Sequence, residues 1–122
     1  MILLMVCLGA VLGAPARYLA DRAIRSRHGS AFPLGTLAVN AAGSLGLGLL
    51  IGLSRHHAIP AEVVAAAGTG FCGALTTYST LGLETARLAE DGARRHATLN
   101  VVANLVAGIA AAALGYTAGH AW

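Results

Sequence analysis

The stretch Gly70-Phe71-Cys72-Gly73-Ala74-Leu75-Thr76-Thr77-Tyr78-Ser79-Thr80 sits inside an apolar run that opens near Val63 and fades near Leu88. Four hydroxyl residues and a tyrosine, close behind Gly68, Gly70 and Gly73, are poor material for an uninterrupted helix in lipid. Each hydroxyl needs a partner where little water is at hand. Neighbouring glycines ease departure from regular helix geometry. The stretch therefore predicts a helix interrupted at membrane depth, its freed carbonyls and hydroxyls turned toward protein, an ion or a water-lined path. The bland alternative is that the hydroxyls bond back to their own helix and the glycines only allow close packing.

Outward from that run, three more apolar segments appear. A crossing takes about 20 apolar residues, usually about 17–25. Four segments qualify: residues 2–20, 34–53, 63–88 and 99–118. Short polar links separate them, with no room for a soluble domain, so the chain reads as one integral membrane domain of all-α class with four transmembrane helices. Pro33 and Pro60 each precede a span, where proline opens a helix without losing an internal bond. The composition agrees: 57% of the 122 residues are hydrophobic and 11% charged, with a mean hydropathy of +0.70. Sixteen glycines suit helices packed through small residues. Cys7 and Cys72 lie in apolar runs at no metal-binding spacing and read as buried structural thiols. A cleaved signal peptide is not expected, because no basic segment precedes the first run.

The net charge of +3 comes from arginine alone. Arg22, Arg25, Arg27, Arg94 and Arg95 fall in the first and third links, with Arg87 nearby, whereas Arg55 is alone in the second. Arginine excess marks the cytoplasmic side, so both termini are expected outside a cell membrane crossed several times. Arginines confined to membrane flanks also argue against a nucleic-acid partner.

Polar residues inside the spans are the candidate chemistry. Thr36 and Asn40 are one turn apart and share a helix face. Asn100 and Asn104 repeat the device in the fourth span, with Gly108 continuing the stripe. Buried amides are costly unless they bond something, either another helix or a dehydrated anion. Arg17 snorkels to headgroups or marks a vestibule mouth, and Tyr18 reads as an interfacial anchor. Glu84 pairs with Arg87 by spacing or faces a pathway. The five histidines have neither metal-ligand spacing nor a nucleophile partner. No hydroxyl has a base in register, so no enzyme is expected.

Taken together, Gly9 to Tyr18, Pro33 to Asn40, Gly70 to Thr80 and Asn100 to Asn104 resemble the CrcB/Fluc family of fluoride channels, one motif per span and in the family's order. The resemblance implies an antiparallel dimer with two narrow pores that export cytoplasmic fluoride passively. It implies a structural sodium ion at the dimer interface, held by the main-chain carbonyls of Gly73 and Thr76. It places Thr36, Asn40, Thr77, Tyr78, Ser79, Thr80, Leu81, Asn100 and Asn104 along the fluoride pathway, with Arg17 and Glu84 as vestibule or pore-end charges.

The main departure concerns two phenylalanines, three residues apart, whose edges face fluoride in the family; here those positions are Tyr78 and Leu81. An aromatic edge carries partial positive charge and receives an anion without trapping it. Tyr78 keeps such an edge and Leu81 has none. The arginine bias is also strong for a chain that must insert both ways round. Both features favour a heterodimer with a paralogue of opposite orientation. Two other readings compete: a non-conducting scaffold subunit, and a small proton-coupled multidrug exporter. The exporter needs a midplane carboxylate that the first span lacks.

Overall fold

The structure, a computed structural model, describes residues 1–122. It is helical apart from short links: α1 (Ile2–Arg27), α2 (Leu34–Leu53), α3 (61–75), α4 (Ser79–Glu90) and α5 (Arg94–His120). Helices α1, α2 and α5 are long and apolar enough to cross a membrane. Helices α3 and α4 are the two halves of the interrupted third segment.

The bounds refine the expected spans. Helix α1 does not stop near Ala20 but continues through Arg22 and Arg25, and Pro15 lies inside it. Its last turns are helped by the Asp21–Arg25 pair one turn apart, at 2.9 Å, and by arginines at the negative end of the helix dipole. Three of the arginines assigned to the first link are thus helical. Helix α5 likewise opens early, at Arg94.

The interruption falls where the hydroxyl cluster predicts it, but by another route. Helix α3 has a first α-helical turn, Ala61–Val64, then a π-helical segment, Ala65–Cys72, then a last turn, Gly73–Leu75. The widened segment has no counterpart in the sequence reading. The chain then extends at Thr76 (φ −75°, ψ 156°) and re-enters helix at Ser79. No glycine supplies a special backbone conformation here, since Gly92 alone has positive φ. Gly70 serves close approach instead: a Cβ there would lie 2.5 Å from the Val6 carbonyl oxygen and 3.0 Å from Gly9 Cα.

Packing is by parallel pairs. Helix α1 lies along α3, with Gly9 and Gly13 against the backbone of Ala66 and Phe71. Helix α2 lies along α5 in a register that repeats every four residues: Asn40 meets Asn104, Ser44 faces Gly108, Gly48 rests on Ala112, Gly52 on Tyr116, and His56 reaches His120. Four-residue spacing keeps one helix ridge in contact throughout. At the far end of this seam, His56 Nε2 and His120 Nδ1 stand 3.0 Å apart. Cys72 is buried as expected, but Cys7 is exposed, because α1 packs through the face that bears Gly9 and Gly13.

Candidate functional site

The helix break leaves peptide groups without helical partners, and Asn40 of α2 meets them. Its Nδ2 donates to the Thr77 carbonyl at 3.1 Å and to Asn104 Oδ1 at 2.9 Å, while the Thr77 N–H donates to Asn40 Oδ1 at 2.7 Å. One amide thus joins the break to both α2 and α5. The polar line continues along α5. Asn104 Nδ2 donates to the carbonyl and side-chain oxygens of Asn100, and Asn100 Nδ2 donates to Thr85 Oγ1 at 3.0 Å. Thr36 and Asn100 are the most deeply buried side chains, at 1% and 0% exposure. Buried polar groups at this depth persist because each is bonded.

The hydroxyls of the break form a small cluster. Thr77 Oγ1 donates to Thr80 Oγ1 at 3.0 Å, accepts from the Thr80 N–H at 3.2 Å and lies 3.4 Å from Ser79 Oγ. Thr77 therefore takes over a helix-capping role at the start of α4. Thr36, Asn40, Thr77, Ser79, Thr80, Asn100 and Asn104 are brought into one region. Tyr78 is not: its side chain is 88% exposed on this chain. With Leu81, Asn40 and Asn104 it borders an open groove of about 680 Å³, whose lining also includes Ser44 and Thr69.

Gly73 and Thr76 border the same groove, and their carbonyls lack helical donors. The N–H groups of Thr77 and Thr80, which would serve them in a continuous helix, are turned to Asn40 and Thr77 Oγ1. The Gly73 oxygen accepts from Thr76 Oγ1 at 3.2 Å, and the Thr76 oxygen faces Arg17 Nη1 at 3.5 Å. Peptide oxygens freed from helical donors are hard ligands of the kind an alkali cation takes, although within this chain Thr76 Oγ1 and Arg17 already approach these two. Arg17 lines a second cavity, of about 200 Å³, with Tyr18, Asp21, Thr36, Thr77 and Thr80, so it reaches inward rather than only snorkelling.

At the end of the line nearest the first link, Glu84 accepts from Thr36 Oγ1 at 2.9 Å and from Arg25 Nη2 at 2.5 Å. Its ion-pair partner is Arg25, not the Arg87 that spacing suggested. Arg25, Thr85, Ser44 and Thr69 were not singled out from sequence as site residues. A signal existed for Thr85, four residues beyond Leu81 and on the same face of α4. None existed for Arg25, whose partner is 59 residues away.

A family model described as CrcB-like protein, Camphor Resistance (CrcB), matches residues 4–116. The chain is similar to Fluoride-specific ion channel FluC 1 of Frankia casuarinae, with 53% identity over 117 residues, 92% of this chain and 91% of that protein. It is 54% identical over 107 residues to Fluoride-specific ion channel FluC 1 of Nocardia farcinica, covering 88% and 72% respectively. Fluoride-specific ion channel FluC 2 of Cutibacterium acnes is 44% identical over 120 residues, 98% of both chains.

Proposed function

This chain belongs to the CrcB family, and from that premise we infer that it is a subunit of a fluoride-selective channel, its ion passing along the polar line from the helix break to Glu84. The carrying observation is the Asn40 amide, bonded at once to Thr77 and Asn104. Fluoride must shed water to enter a narrow path, and fixed N–H and O–H donors replace that water only if they lie close together along it. Within the chain these donors are bonded to neighbouring oxygens, so none is stranded. As an ion arrives, the Asn40 and Asn104 amides and the Thr77, Ser79 and Thr80 hydroxyls turn from their internal partners to the anion. A passive path suffices for export: neutral acid enters, dissociates inside, and the membrane potential drives the anion out.

The groove flanked by Tyr78 and Leu81 is read as the seat of a second, antiparallel subunit. That subunit covers Tyr78 and sets its ring edge against an ion. Gly73 and Thr76 of each subunit would supply main-chain oxygens to a sodium ion on the two-fold axis, where a cation offsets dipoles that face one another. The arginine asymmetry and Leu81 favour a paralogue as partner, and relatives named FluC 1 and FluC 2 support the existence of paired forms. The same asymmetry favours termini on the outer side, so a phosphatase reporter fused after Trp122 is expected to be active, and an inactive one would contradict that orientation.

Expression in a fluoride-sensitive bacterium lacking its own channel tests the whole reading. Growth in fluoride is expected when this chain is produced with a paralogue of opposite arginine bias. Full resistance from this chain alone rejects the obligatory heterodimer, and sensitivity in every combination rejects the channel.

A further inference from the structure

Glu84 is an odd group to find at the end of an anion path. Its side chain is only 12% exposed, and its Oε2 is enclosed with no hydrogen-bond partner. Asp21 nearby is in the same condition: Oδ2 accepts from Arg25 Nε at 2.9 Å, while Oδ1 is enclosed and unpartnered. That oxygen lies against Gly35, where a Cβ would collide with it, so α1 and α2 close together over the carboxylate. Two carboxylates share one guanidinium. Glu84 has a second contact, Thr36 Oγ1, on the helix that carries Asn40. Arg25 is thus the one side chain that bridges Asp21 to the polar line.

Just outside lies a cavity of about 210 Å³ lined by Arg25, Glu84, His28, Arg87 and Asp91. An anion arriving from the arginine-rich face meets Glu84 before it reaches the amides. An uncompensated Glu84 carboxylate repels it, because water reaches only 12% of that side chain to screen the charge. We propose that Arg25 is a positioning and charge-balancing residue for fluoride passage: it compensates Glu84 and holds that carboxylate against Thr36, so that the mouth is open to an anion. This rests on the fluoride reading above and adds the residue that sets the charge at the path's inner end. As a contribution to stability the pair is modest, since the Arg25 side chain is 57% exposed and such pairs are weak. Its effect is on the field at the mouth.

The test is fluoride efflux from liposomes holding the complete channel, with an ion-selective electrode as readout. Arg25→Gln is expected to slow efflux about tenfold or more, equivalent to a barrier about 1.4 kcal/mol higher. Arg25→Gln with Glu84→Gln is expected to recover most of that loss, because the uncompensated charge is gone. Arg22→Gln removes the same charge from the same face without touching Glu84, and is expected to leave the rate within about twofold of wild type. Size-exclusion profiles and thermal unfolding establish that each variant is folded. Unchanged efflux in Arg25→Gln overturns the proposal, as does a double variant as slow as the single one. Wild-type vesicles that release no fluoride overturn the fluoride reading and this one with it, so the two failures are distinct.

Discussion

Asn40 spends its whole amide inside the chain. Both N–H groups and the oxygen are bonded, to Thr77 of the break and to Asn104 of α5. Removing it strands the Thr77 N–H and carbonyl and the Asn104 oxygen together. Each unsatisfied buried group costs about 1–3 kcal/mol, so Asn40→Ala is expected to destabilise the fold by roughly 2–4 kcal/mol, allowing for partial rescue by water. Thermal unfolding in detergent measures this, and a change under about 0.5 kcal/mol, the level of an ordinary surface substitution, would contradict the bridging role. Tyr78 is the contrasting residue. Exposed on this chain, it adds little to the subunit's own stability, so Tyr78→Ala is expected to leave unfolding nearly unchanged while reducing fluoride efflux about tenfold. Tyr78→Phe keeps the ring edge and is expected to stay within about threefold of wild type. A large unfolding shift in Tyr78→Ala, or efflux equal to wild type, would sink that assignment.

Among the elements, the parallel seam between α2 and α5 fixes where Asn40 meets Asn104. Gly48 sets the interhelical distance, since a side chain there would run into the Ala112 carbonyl. Gly48→Val is expected to push the helices apart at a cost of about 1–3 kcal/mol, and to disturb the amides two turns away. Loss of the Asn40–Asn104 coupling in a double-mutant cycle built on Gly48→Val checks this; an intact coupling refutes it. The elements also show what the sequence made readable. Hydrophobic runs and proline positions gave α2 to the residue, and hydroxyls crowded behind glycines located the break. Thr36 with Asn40, and Asn100 with Asn104, were readable as faces because one helical turn separates each pair. The partners across faces were not, since the α2–α5 register and the Arg25–Glu84 contact join residues about half the chain apart. Local spacing does not encode such contacts: for Glu84 it offers only Arg87 on its own helix or a position facing a pathway. The π-helical segment was hidden for a related reason: close packing of Gly70 on α1 accompanies it, and that is tertiary.

Considered whole, the chain is two parallel helix pairs that run in opposite directions and are bridged by polar groups at the height of the break. A subunit built this way has its donors on one side of a groove and its aromatic edge on the groove's rim. Neither alone encloses a path. On the two-subunit reading the opposite wall comes from a partner, seated on the groove that Val101 and Leu105 of α5 also line. Liposomes loaded with potassium fluoride or potassium chloride, and containing this chain with its partner subunit, put the matter most directly. With valinomycin to release the potential, fluoride is expected to leave rapidly while chloride stays trapped, and the fluoride flux should collapse when Asn40 is replaced. Equal release of both anions, or fluoride release indifferent to Asn40, would contradict selective passage along the amide line.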